Sequence, residues 1–562
     1  MKKISQKIKY VSCLKGSALA YALVIMSVCM IILVSMLSYT ASQLKFSFNR
    51  AEKEKAFQIS EAGIYFYRWY LAHQVSGKTA QEINDFWQGG TALGVSAPFE
   101  DDFKDPEGGV IGKYSIEVTP PDAGSTIVVA KATGWTNKEP NLKRTVQVRF
   151  RRPSWSEYAV LANHFMRFGT GTDVYGEIHC NEGIRFDGTA HNVVSSLAAT
   201  LDDPDHSGGN EFGVHTHIHP PGVAADEAPP TDPVPTRNDI FLAGRQFPVP
   251  EVSFGGVSSD LSLMKKIACD FNEGTSSCAV VNNCSADGCY FDNSDYGRHI
   301  VLNSNGTMSV RRVTNYDKDA YDVKGRVLFQ GYNTITAESA ATSYTIPDNG
   351  IIFAEDNIWL EGTVNDKKVT VVAANTTGAG LPANVFLGIN NLLYTNFDGR
   401  DVVGVIAQNN VEILKNSQNF LTLDAALLAQ NGRVGREYYT CDTWKYEVCR
   451  LWRIDGILKL WSQVTSEERA NGTCLDWDDW ILYTPNDISD DYQHCRIWNA
   501  ADHKDTITLN GSMATNLRYG FAYSNGTGYT NRILNFDNNL LYYPPPYFPT
   551  GTEYAIDSWE EL

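Results

Sequence analysis

The chain has 562 residues and a formal net charge of −18, which becomes −23 once the five lysines of residues 1–16 are set aside. Phosphate recognition needs clustered Lys and Arg, and beyond those lysines no basic run exceeds Arg151-Arg152. Nucleic acid is therefore excluded as a partner. A length of this order holds roughly three or four domains of mass, unless a repeat architecture absorbs it.

Lys2, Lys3, Lys7, Lys9 and Lys15 lead to Gly16-Ser17, and an apolar run without charge follows from Ala18 to Ala41. A secretory signal keeps its apolar stretch shorter and puts the small-residue junction after it. Here the junction precedes the run, which is long enough to cross a hydrocarbon layer of ~30 Å. The lysines hold the N-terminus in the cytoplasm, so a single-pass protein with its remaining mass outside is expected. A plain signal anchor is the simpler alternative. Residues 42–71 contain no Pro and one Gly, and Ala51, Ala56, Phe57, Ile59, Ala62, Phe66 and Tyr70 recur near helical spacing. One transmembrane and amphipathic helix is expected over 17–75, after a basic leader at 1–16.

A membrane half continuous with an amphipathic half resembles the spine of type IV pilins and pseudopilins. The segment from Lys15 to Ala41, with Ala56-Phe57-Gln58-Ile59-Ser60-Glu61-Ala62-Gly63 downstream, looks most like PilX-type minor pilins. The resemblance implies a prepilin peptidase cutting between Gly16 and Ser17, insertion in the inner membrane, and assembly with other pilin or pseudopilin subunits. Major pilins carry a glutamate five residues into the mature chain, where this sequence has Tyr21, and usually Phe first, where it has Ser17. These departures point to a minor subunit.

Tyr114-Ser115-Ile116-Glu117-Val118, residues 125–132 and residues 145–150 alternate as strands do. They predict a three-stranded pilin-like meander within 76–152, packed on the helix, with a connector or short helix over 77–106. After Pro153, short apolar runs are separated by turn residues. Ile352-Phe353-Ala354-Glu355-Asp356-Asn357-Ile358 resembles Val405-Ile406-Ala407-Gln408-Asn409-Asn410-Val411, and Ala-Gln-Asn recurs at 429–431. Small and branched residues would fill an interior column and Asn the corners, each repeat burying its apolar face by stacking on the next. The expected fold class is mainly β with one long N-terminal helix: a pilin-like helix and meander followed by a right-handed parallel β-helix over 153–268 and 295–437. The final rungs and tail occupy 506–562, and a Pro-rich strap 220–250. A β-sandwich is the alternative.

Two inserts interrupt the pattern, at 269–294 and 438–505. The first holds Cys269, Cys278, Cys284 and Cys289, and the second Cys441, Cys449, Cys474 and Cys495, each in polar sequence with little strand character. Export favours disulfides within each cluster, whose connectivity the sequence leaves open; zinc is the alternative. The second insert also carries six Trp. Trp477 and Trp480 are candidates for a surface that contacts a cell-surface ligand, the alternative being that the tryptophans form the lobe's own core.

Gly176-Glu177-Ile178-His179, Glu211-Phe212-Gly213-Val214-His215-Thr216-His217 and the closing stretch 538–549 resemble the large ectodomains of PilX-like proteins from small-genome bacteria. His215, His217 and His219 alternate, and on one face of a regular strand they would make a zinc or copper site; a polar strand edge is the plainer reading. Asp203 and Asp205 mimic the start of a calcium loop whose twelfth position is Val214, where a glutamate is needed. No nucleophile, phosphate-loop or dinucleotide motif is present, so no cofactor and no enzymatic activity are expected. The alternative is a surface-anchored, polysaccharide-active β-helix enzyme.

Overall fold

A computed structural model describes the chain from Ser17 to Leu562, except residues 76–77, 79, 122–124, 224, 227–228, 253, 255–256, 273–274, 276, 294–295, 318–319, 322–326, 330–331, 378–380, 438–443, 455–456, 461–472, 484–502, 524–525 and 552. The described residues are mainly β, with one long helix α1 (Ser17–Val75). At 1.5 Å per residue α1 is about 90 Å long. Its first half is exposed at every described residue from Ala18 to Phe48. In its second half Glu52, Ala56, Ser60, Ile64, Tyr67 and Leu71 are buried, steps of three or four that keep one face inward. That stripe leaves Ala51 exposed and puts Phe66 and Tyr70 on its flank.

The stripe packs on an antiparallel sheet of β1 (Phe99–Lys104), β2 (Val110–Thr119), β3 (Ile127–Thr136) and β4 (Arg144–Arg151), in that order. Alternate residues face the helix, among them Val128, Ala130 and Ala132 of β3 and Val146, Val148 and Phe150 of β4. Gly134 lets the two backbones touch: a Cβ there would stand 2.3 Å from the Ala56 carbonyl oxygen and 2.5 Å from the Ser60 nitrogen. The short helix α2 (Ala80–Gln88) and β1 both arise within the expected connector. The fifth strand is Ala555–Glu561, paired antiparallel with β4, where the sequence pattern suggested a tail of the second body. Asp557 accepts from Arg151 Nε at 3.0 Å and also pairs with Arg149. Trp87 Nε1 donates to Tyr554 Oη at 3.0 Å. Residues 153–554 thus form an insertion between two adjacent strands of the head sheet.

The insertion is a stack of parallel strands. Cys289, Ile352, Val371, Val405, Leu427, Met513, Val160, Ile178, Val194 and Arg245 follow one another in register, each on the neighbouring strand. A second column runs through Leu392, Leu423, Leu509, Leu534, Val174 and Ala190. A third joins Ile358, Val385, Val411 and Val434. Most of these side chains are buried in one continuous cluster, so each rung covers the apolar face of the next. Asn residues line a corner: Asn384 Oδ1 accepts from Asn409 Nδ2 at 3.0 Å and from the Asn410 nitrogen at 3.1 Å. The chain enters this stack in its middle, at Val160, and runs to one end. It then returns past helix α3 (Val257–Ala268) to the other end at Cys289 and works back to Met513.

The Pro-rich segment is only partly a surface strap. Phe241 is buried and bridges Ala190, and Arg245–Gln246 pairs with the strand at Val194, because the open end of an apolar column needs a cover. Short antiparallel pairs, rather than featureless polar chain, carry the first cysteine insert, where Cys269 is joined to Cys278 and Cys284 to Cys289. The backbone of the second forms its own antiparallel sheet, with Trp444–Ile454 between Ile457–Leu460 and Thr473–Tyr483. Cys441 and Cys495 lie outside the described residues, as do the side chains of Cys449, Cys474, Trp477 and Trp480.

Candidate functional site

Two features of the chain carry chemistry beyond folding. The first is the exposed half of α1, the one helix among the described residues long and apolar enough to cross a membrane. It starts at Ser17, whereas Gly16 lies outside the described residues. Tyr21 is 69% exposed, and the apolar surface continues past the spanning run through Leu44, Phe46 and Phe48. Where the exposed half meets the head, Glu52 is buried and accepts from Thr136 Oγ1 at 2.6 Å and Lys55 Nζ at 2.9 Å. The Thr136 hydroxyl, with Lys55 helping against burial, holds the Glu52 carboxyl below its usual value.

The second feature is a buried cluster near one end of the stack. The hairpin of Thr200–Asp202 and Asn210–Phe212 delivers Asp203 and Glu211, and the strand Val214–His215 delivers His215. That strand stops at His215, so the three histidines do not share a regular strand face. His217 still turns back to the cluster, whereas His219 is exposed and takes no place in it. Gly213 makes the fold-back possible, since a Cβ there would stand 1.8 Å from the Ala198 carbonyl oxygen. Asp205 also diverges, pairing with Arg518 at 2.6 Å and Arg167 at 3.1 Å. The two aspartates therefore do not converge as a calcium loop requires. Sequence reasoning did not single out Glu211 or His206 as ligands. The signal for Glu211 was the Glu-x3-His-x-His spacing of 211–217, which does not reach His206.

The geometry is compact. His215 Nε2 lies 2.9 Å from Glu211 Oε2 and 3.6 Å from Asp203 Oδ2. His217 Nε2 lies 3.2 Å from Glu211 Oε1 and 3.6 Å from Asp203 Oδ2. His206 Nδ1 stands 2.9 Å from Glu211 Oε1, and Arg185 bridges Asp203 and Asp187. Burial opposes ionisation of Asp203, yet His215, the Asp205 amide and Arg185 together hold its carboxyl well below the carboxylate range. Burial raises Glu211; His215 opposes the shift and the Asp203 charge adds to it. Burial, then Arg185 and His215, lower His217 to about 4.

No family model matches the chain, and no curated protein does. Among solved structures it is similar to the competence-associated pilin ComZ from Thermus thermophilus, at 11% identity over 91% of this chain and 98% of that one. The TM-score of 0.24 is too low to carry an argument.

Proposed function

We propose that the chain is a minor pilin-like subunit of a type IV pilus or pseudopilus system, made as a prepilin and cut by a prepilin peptidase between Gly16 and Ser17. The observation that supports this best is the continuity of α1, with an exposed apolar half running without a break into a half buried under an antiparallel sheet. Such a helix is anchored in the inner membrane with the lysines in the cytoplasm and the remaining mass outside. Once extracted, its apolar surface needs the helices of other subunits as cover. Tyr21 in the place of a glutamate supports a minor position. The stacked ladders are read as a right-handed parallel β-helix, a rigid stalk that displays the inserts. Its task is assembly and display, without a reaction of its own.

A photo-crosslinker at Leu33, which is 60% exposed, tests the assembly role: adducts with pilin subunits are expected, and adducts with none contradict it. The strands 444–483 of the second insert are proposed to contact a cell-surface ligand through Trp477 and Trp480. Alanine at both is expected to abolish cell binding with an unchanged melting temperature; a large drop in melting with binding retained per folded molecule contradicts it.

A further inference from the structure

We propose that Asp203, Glu211, His215 and His217 bind one divalent transition-metal ion of the zinc type. The four donor atoms lie within 4.8 Å of one another. Zinc–ligand distances of about 2.0–2.1 Å at the tetrahedral angle place donors about 3.3 Å apart. His215 Nε2 lies 2.9 Å from Glu211 Oε2, His217 Nε2 lies 3.2 Å from Glu211 Oε1, and each lies 3.6 Å from Asp203 Oδ2, separations on either side of that value.

The orientation of His215 is the second observation. Its Nδ1 lies 2.8 Å from the Phe212 carbonyl oxygen, an atom that only accepts, so Nδ1 carries the proton. In the neutral ring Nε2 then carries the lone pair, and it faces the Glu211 and Asp203 oxygens. His215 Nε2 and Glu211 Oε2, both on fully buried side chains, have no hydrogen-bond partner among the described residues. Buried polar atoms left so are expensive, and a cation between them satisfies all of them together. A backbone carbonyl fixing the other ring nitrogen is how metal-ligating histidines are commonly oriented.

The charge agrees as well. Asp187, Asp203 and Glu211 carry three negative charges and Arg185 returns one, leaving −2 opposite a divalent ion. Two imidazoles with two carboxylates suit zinc, whereas calcium takes an all-oxygen shell. Access comes through a groove of about 680 Å³ whose wall includes His217, Asp187, Arg167 and Arg518. With four protein ligands the ion has no open position, so it acts as a clip that holds the 200–217 fold-back against the end of the stack.

The test uses the full-length chain in detergent, dialysed free of metal and titrated with Zn²⁺. One Zn²⁺ per chain is expected by elemental analysis, with an unfolding midpoint that rises on addition and falls with chelator. His217→Ala, at the groove wall, is expected to weaken binding at least 100-fold while circular dichroism stays native. His219→Ala should bind as the parent does. Folded parent protein that takes up no stoichiometric zinc, or that binds no better than His217→Ala, overturns the proposal. Should His217→Ala fail to fold, Glu211→Gln, which keeps shape and removes charge, takes its place with the same two outcomes.

Discussion

Met513 pairs in parallel register with Val160, so the last rungs of the insertion lie against its first one. Asn163 Nδ2 donates to Asn516 Oδ1 at 2.8 Å across the same junction, between residues 353 apart in sequence. The insertion therefore enters and leaves close to the head, and the returning chain adds Ala555–Glu561 to the head sheet beside β4. Two segments, rather than one flexible linker, join the stack to the helix-bearing head. Load carried by the stack would reach α1 through β4 and its neighbour together.

This double attachment makes Asp557 a sensitive position. It is mostly buried and serves both Arg149 and Arg151. Charge-assisted hydrogen bonds contribute about 1.5–3 kcal/mol each when a partner is removed. Asp557→Ala is expected to destabilise the head by about 2 kcal/mol and to speed amide exchange over β4, although β4 is some 400 positions away (406 from Arg151). Unchanged exchange across residues 146–150 would argue against the shared sheet.

Gly134 should tolerate no side chain. Its missing Cβ leaves room for the Ala56 carbonyl and the Ser60 nitrogen, and overpacking of this kind costs typically ~1–3 kcal/mol. Gly134→Val is expected to lift α1 from β3, seen as faster exchange over residues 56–71 and a lower unfolding midpoint. A variant as stable as the parent would mean the helix does not lie on that strand.

Asp260, in the first turn of α3, sits beside Ile83, Trp87, Arg152 and Tyr547. Burial raises its carboxyl to about 6, against the pull of Arg152. The folded chain thus holds a proton there that the unfolded chain releases near pH 4. Below pH ~4 both states are protonated and nothing is lost; as pH rises through 6, stability falls by up to about 3 kcal/mol. Asp260→Asn is expected to raise the unfolding midpoint at pH 7.5 and leave it unchanged at pH 4. Equal effects at both values would contradict the burial of a charge-averse carboxyl.

Much of the head was legible because its signals are local. The charge-free run to Ala41 and the lack of Pro over 42–71 announced α1, and the alternation at 114–118, 125–132 and 145–150 became β2, β3 and β4. β1 was hidden by its sequence, Phe-Glu-Asp-Asp-Phe-Lys, whose charges suit an exposed sheet edge better than an obvious strand. The fifth strand was hidden by distance, since no local pattern names a partner that far back along the chain. Repeats were visible at 352–358, 405–411 and 427–431, and these strands do pair in register through Val371. The stacking order was not, because similar rungs carry no label for their neighbours. At the cluster, His215 and His217 were visible as a pair. The departure of His219 and Asp205, and the arrival of Glu211, depend on the fold-back at Gly213, a three-dimensional event.

The most direct test of the central claim is the mass of the mature N-terminal peptide, taken from the protein in its own cell. A chain that begins at Ser17, with residues 18–41 retained, is the outcome expected of a prepilin-like subunit. A chain that begins after about Thr40, or that keeps the leader through Gly16, would contradict it.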